Sequence, residues 1–127
     1  VEWGRAAVDE VWPARPDALV CANDLIAIGA LQRLQQLGVA VPGEVAVTGF
    51  DDIPMAALSA PGVTTVRQPV AELAAEAAHL LTLRLSGETS GPQRSIRLAP
   101  TLVVRDSSPR SRLAGPRGAE PEATRVT

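Results

Sequence analysis

Residues 17–52, DALVCANDLIAIGALQRLQQLGVAVPGEVAVTGFDD, constrain this chain most, because they predict a strand, a helix and a second strand as one unit. Residues 18–22 are a short apolar run, long enough for a buried strand and too short for a helix. Asn23 and Asp24 interrupt it, and Asp24 is a good N-cap type for the helix that follows. From there Leu25, Ile28, Leu31 and Leu34 recur at helical spacing, widened by Ile26 and Leu37, with Gln32, Arg33, Gln35 and Gln36 mostly off the stripe. Gly38 supplies the stop and Pro42 keeps the helix from resuming. Residues 45–49 form a second apolar, β-branched run, closed by Phe50-Asp51-Asp52. Two buried strands joined through a helix should lie parallel, with a right-handed crossover.

That geometry creates a place for a ligand. Open parallel sheets bind small molecules beyond the carboxyl ends of their strands. Asn23 follows the first strand and Asp51 the second, so neighbouring strands would bring them to one rim about 5 Å apart plus any stagger. An amide and a carboxylate there suit a polyhydroxylated or heterocyclic small molecule. Asn and Asp at such turns also serve as plain helix caps. Asp24 is assigned that role; for Asn23 and Asp51 both readings stand.

Three segments then coincide. Ala22-Asn23-Asp24, VPGEVAVTGFDD at 41–52 and TTVRQP at 64–69 appear in this order and at fitting distances, with residues 101–105 as a closing strand. Together they resemble the effector-binding domain of the lactose-repressor/galactose-repressor (LacI/GalR) family of bacterial transcription regulators, over about residues 16–106. Thr48 departs from the aliphatic residue more usual there. The resemblance implies an α/β, periplasmic-binding-protein-like (type I) fold, a parallel sheet with flanking helices. It is incomplete here: the C-terminal subdomain plus one helix of the other. It implies that Asp51 accepts hydrogen bonds from an effector and that Asn23 is a neighbouring polar contact, with Phe50 and Trp3 as aromatic members of the site. Trp3 serves equally well as a packing residue. Ile28 and Leu58 match positions near a dimer interface, although Ile28 also fits the core stripe of its own helix. The implied partners are a small-molecule effector (a sugar), a second copy of the chain, and DNA contacted only through an N-terminal helix-turn-helix that this sequence lacks; the implied location is cytoplasmic.

Composition narrows the field. All twelve basic residues are Arg, so no Walker lysine or pyridoxal Schiff base is available. The single Cys makes no internal disulfide, and no cofactor or metal motif occurs. No stretch approaches the roughly 18 apolar residues of a membrane span, and no signal peptide is visible. The chain opens on Val1 instead of Met, which suggests a missing beginning. A net charge of −2 argues against nucleic-acid binding by this piece. The low aromatic content, 2 %, leaves the core to Leu, Val, Ile and Ala.

The flanks are simpler. Residues 2–12 read as a short helix with Ala7, Val8, Val11 and Trp12 on its apolar side. Residues 53–58 form about one helical turn, and 63–67 an extended run. Residues 70–86 form an amphipathic helix; the resemblance packs it on the subdomain missing here, which leaves Leu73, Ala77, Leu80 and Leu81 uncovered. His79 sits on its polar side near Glu76 as a solvated residue. Residues 95–98 and 101–105 are short extended runs. From residue 107 to 127, Pro, Gly and polar residues dominate and four Arg against two Glu leave a net of +2, so the expectation is a disordered tail after a domain of residues 1–106.

No catalytic constellation appears. G-x-S-x-G, G-x-G-x-x-G and H-E-x-x-H are absent, and Asp51-Asp52 lacks any accompanying base or phosphate cradle. The sequence therefore reads as the sensing part of a regulator and not as an enzyme. An exported sugar-binding protein of the same fold and an inactive truncated fragment are the alternatives.

Overall fold

The computed structural model describes residues 1–87 and 95–108. The elements are α1 (Glu2–Val11), a 3-10 turn (Trp12–Ala14), β1 (Ala18–Val20), α2 (Asp24–Gln36), β2 (Ala46–Thr48), α3 (Pro54–Leu58), β3 (Thr65–Arg67), α4 (Val70–Leu85) and β4 (Thr101–Val103). Among the described residues, Val1–Arg67 and those from Thr101 to Ser108 form one compact unit; α4 belongs to a second.

In the first unit β1 and β2 pair in parallel, with Ala18 opposite Ala46, Leu19 opposite Val47 and Val20 opposite Thr48. Thr48 makes a further parallel bridge to Thr64, and β3 pairs antiparallel with β4. The strand–helix–strand unit predicted for residues 17–52 is thus present with its parallel pairing. Its termini follow local chemistry. Gly38, at φ +72°, takes the left-handed position after α2. The next amides then cap carbonyls of the last turn, Gly38 N to Gln35 O and Val39 N to Leu34 O, both at 3.0 Å.

The core is aliphatic, as the composition required: Val8, Ala27, Ala30, Leu31, Leu34, Val45, Val47, Ala56 and Val63 are buried, with Trp12, Leu19, Ile28 and Ile53 packed against them. The buried face of α2 is rotated from the predicted stripe. Ala27, Ala30, Leu31 and Leu34 face inward, whereas Leu25 is exposed. The cause is the approach of α1. A Cβ on Gly4 would lie 2.0 Å from the Ile26 carbonyl, and one on Gly29 2.0 Å from that of Val1. Two glycines let the backbones touch, and the small side of α2 becomes the inside. Polar pairs at the edge hold this register: Arg5 to Gln32 (2.6 Å) and Arg33 to Asp9 (2.6 Å).

Three expectations need correction. β1 is not a buried strand: among the described residues its one ladder neighbour is β2, and Val20 is 85 % exposed. Residues 95–98, predicted as an extended run, hold no regular element. The boundary at 106 is also too early, because Ser107 and Ser108 are buried. Ser107 Oγ donates to the Val47 carbonyl (2.6 Å) and accepts from Thr64 N (2.8 Å), while Val47 N donates to the Ser107 carbonyl (2.8 Å). Ser108 Oγ lies 2.7 Å from Thr64 Oγ1. Ser107 thus satisfies Val47 of β2 and Ser108 meets Thr64, in a stretch that composition had assigned to a solvated tail. The remainder of the predicted tail, 109–127, lies outside the described residues. In the second unit no residue of α4 is buried, and Leu73, Leu81 and Leu85 are exposed.

Candidate functional site

Three passages of chain meet at the carboxyl end of the parallel pair. On one side of residues 48–51, Cys21 N donates to the Thr48 carbonyl and Asp24 N to that of Phe50, both at 2.9 Å. On the other side, Gly49 N donates to Thr64 and Asp51 N to Val66, again at 2.9 Å. The turn at 23–24, the β2 end at 49–52 and β3 therefore form one backbone-bonded rim. The two predicted site residues, Asn23 and Asp51, stand on it.

The cap assignment is reversed. Asn23, in extended conformation, is the N-cap of α2, and its Oδ1 accepts from Ile26 N at 2.9 Å. The cap uses one lone pair of Oδ1, and the amide NH2 is left to donate outward, so Asn23 can offer a ligand donors. Asp24 is no surface cap. Its side chain is fully buried, with Oδ1 accepting from Thr65 Oγ1 (2.6 Å) and Oδ2 from Ile53 N (2.9 Å). Gly49 makes room for it: a Cβ there would lie 2.2 Å from Asp24 Oδ1. Asn23→Ser separates the cap from the expected ligand contact, since Ser keeps the cap and removes the amide donor. Stability should stay within about 0.5 kcal/mol of the parent while effector affinity falls, and Asn23→Ala should lose about 1 kcal/mol as well. Melting curves and titrations of the pair check this; equal affinity in Asn23→Ser and parent would leave Asn23 a cap only.

Asp51 and Asp52 differ in exposure. Both hold positive φ, +103° and +57°. Asp51 is exposed at the rim. The Asp52 side chain is turned inward, 5 % exposed, with Oδ2 on Arg67 Nε and Oδ1 on Arg105 Nη2, each at 2.5 Å. Burial pushes the Asp52 pKa up, but the hydrogen bonds and charges of Arg105 and Arg67 outweigh it and hold the carboxyl below its ordinary 3.8. A carboxyl with a folded pKa below its unfolded value binds its proton more tightly when unfolded. Its contribution is therefore complete above about pH 3.9 and is lost as pH falls toward the folded value. Asp52→Asn should flatten that limb of the acid-unfolding curve; superimposable limbs for variant and parent would contradict the ion pairs.

The aromatic candidates separate. Phe50 is part-exposed on the rim, where its carbonyl accepts from Asp24 N. Trp3 stands 83 % exposed on α1, whose inward residues are Gly4 and Val8. Cys21, near the rim, is half-buried, and burial pushes its thiol up to about 11, which disfavours the nucleophilic thiolate. Thr65, Arg67 and Arg105 complete the support of the site, a role the sequence did not reveal. Their partners lie 15–53 residues away, so no local spacing marks them. Two grooves on this unit lie elsewhere. One runs over Leu31, Gly38, Val41 and Pro61; the other is lined by Val1, Ile28, Gln32, Met55 and Leu58.

Residues 1–108 match the family model described as periplasmic binding protein-like domain. The HTH-type transcriptional regulator MalR of Streptomyces coelicolor is 40 % identical over 108 residues, covering 85 % of this chain and 31 % of that protein. GalR of Salmonella typhimurium is 42 % identical over 90 residues, 71 % of this chain and 26 % of its own. Among solved structures, a complex of the transcriptional regulator CelR with cellobiose superimposes with a TM-score of 0.78 at 39 % identity, over 83 % of this chain and 32 % of that one. A LacI-type regulator from Bifidobacterium animalis gives 0.77 at 37 %, over 84 % and 38 %. This chain thus spans about a third of the length of such relatives. It belongs to the periplasmic-binding-protein-like domain family, in the form carried by LacI/GalR-type transcription regulators.

Proposed function

We propose that this chain is the effector-sensing part of a LacI-type transcription regulator and that its rim forms one wall of a cleft for a sugar. The observation that carries the reading is Asp51: an exposed acidic residue at the end of a parallel pair, held at φ +103° on the same rim as Asn23. A carboxylate can accept from two adjacent hydroxyls while an amide donates to a third, and that pattern fits a polyol better than an apolar ligand. Phe50 on the same rim supplies an apolar surface for a ring. Trp3 is placed less aptly and belongs to the site only if the complete protein brings it there.

Binding in such a cleft would bias its closure and, through it, DNA contacts made by a helix-turn-helix elsewhere in the complete protein. The HTH-type regulators among the relatives support this over an exported transport protein and agree with a cytoplasmic location. Among the described residues, no helix is long and apolar enough to cross a membrane. The decisive experiment is titration of the complete protein with a sugar panel, using Asp51→Asn as the control.

Pairing with a second copy is part of the same proposal. Ile28, Met55 and Leu58 line one groove, and Leu58 is 83 % exposed. Ile28 is partly buried against the core, so its truncation would mix stability with pairing. Leu58→Asp is cleaner: an exposed side chain contributes little to folding, whereas a charge in an apolar interface opposes association. Sedimentation of the complete protein should shift from dimer toward monomer with an unchanged melt. An unshifted dimer would place the interface elsewhere.

A further inference from the structure

The turn that carries Asp51 is held at three points. Asp51 N donates to the Val66 carbonyl, and Ile53 N to Asp24 Oδ2, each at 2.9 Å. Between these backbone anchors lie two successive non-glycine residues at positive φ, a conformation that persists only where surroundings enforce it. Asp52 supplies that enforcement. Each carboxylate oxygen takes one arginine, Arg67 from the end of β3 and Arg105 just beyond β4.

Arg105 is itself fixed: Nη1 donates to the Val63 carbonyl (2.8 Å), and its backbone exchanges hydrogen bonds with Thr64 Oγ1 (2.9 and 3.1 Å). Arg67 is the last residue of the first unit before the chain leaves it, and Thr101 is where it returns. One buried carboxylate thus ties the Asp51 turn to both passages of the chain.

We propose that Asp52 is a positioning residue for Asp51: anchored on Arg67 and Arg105, it sets the direction in which the Asp51 carboxylate is presented and makes that direction depend on the ends of β3 and β4. The proposal rests on the reading of Asp51 as the effector carboxylate and adds to it two arginines that act through Asp52. Asp52→Asn is nearly isosteric and keeps the turn's polarity, but the charge that holds two guanidinium groups is gone.

Amide hydrogen exchange on the complete protein tests this without any ligand, so the positioning role is decided whether or not Asp51 meets the effector. In Asp52→Asn, exchange over residues 50–53 should accelerate by about tenfold or more while the amides of Ala30 and Leu31 in α2 keep the parent rate. Arg67, with a side chain 59 % exposed, gives a second variant pair that should fold normally. Arg67→Gln should loosen the same four residues, and Arg67→Lys, which keeps the charge, should restore protection. Parent-like exchange over 50–53 in Asp52→Asn would overturn the proposal. So would acceleration spread evenly over α2 and β2, which marks general support instead of positioning, or equal exchange in the Gln and Lys variants.

Discussion

Asp24→Ala should cost about 3–5 kcal/mol of stability, several times the roughly 1 kcal/mol of an ordinary cap, because it leaves two buried donors without an acceptor. Thr65 Oγ1 and Ile53 N both end on this carboxylate, which is only 1 % exposed. Hydrogen bonds to a charged acceptor contribute about 1.5–3 kcal/mol each, and water cannot replace them at that depth. The carboxylate also opens α2, where the helix dipole favours negative charge. Denaturant melts of the complete protein measure the loss. A cost of about 1 kcal/mol or less would mean that Asp24 behaves as a solvated cap.

Asp51→Asn should act on the ligand instead. Asn has the shape of Asp and tolerates positive φ better than most residues, so the turn at +103° survives and only the charge is lost. One or two charge-assisted hydrogen bonds of about 1.5–3 kcal/mol then disappear from the effector complex, a weakening of at least roughly ten- to a hundredfold. Stability and operator affinity should stay near the parent. Asp51→Ala is a poorer test, because strain at a non-glycine left-handed position changes along with the charge. Asp52→Asn should also weaken binding, through the loosened turn.

The strand–helix–strand unit was legible because each part of it is written locally. The apolar runs at 18–22 and 45–49, the polar break at Asn23-Asp24 and the stop at Gly38 need no distant partner to be read. The choice between Asn23 and Asp24 was not legible. Both residue types cap helices equally well, and what draws Asp24 inward is Thr65, 41 residues along the chain. The same distance effect hid Ser107, whose partners Thr64 and Val47 lie 43 and 60 residues away. The inward face of α2 was misread for another reason. Counting hydrophobicity favours Leu25 over Ala27, but close approach of α1 at Gly4 and Gly29 rewards small side chains. The rim was legible in outline: Asn23 and Asp51 both stand on it. The anchors beneath them, Arg67 and Arg105, were visible only as charges in a strand pattern.

The central claim, that Asp51 is the effector carboxylate of a sugar-sensing regulator, is tested most directly by calorimetric titration. The complete protein and its Asp51→Asn variant are titrated with a panel of mono- and disaccharides that includes ribose and cellobiose. The account predicts saturable binding of at least one panel sugar to the parent and at least roughly tenfold weaker binding to Asp51→Asn at an unchanged melting temperature. Equal affinity in parent and variant, or no sugar bound by a folded parent, would contradict it.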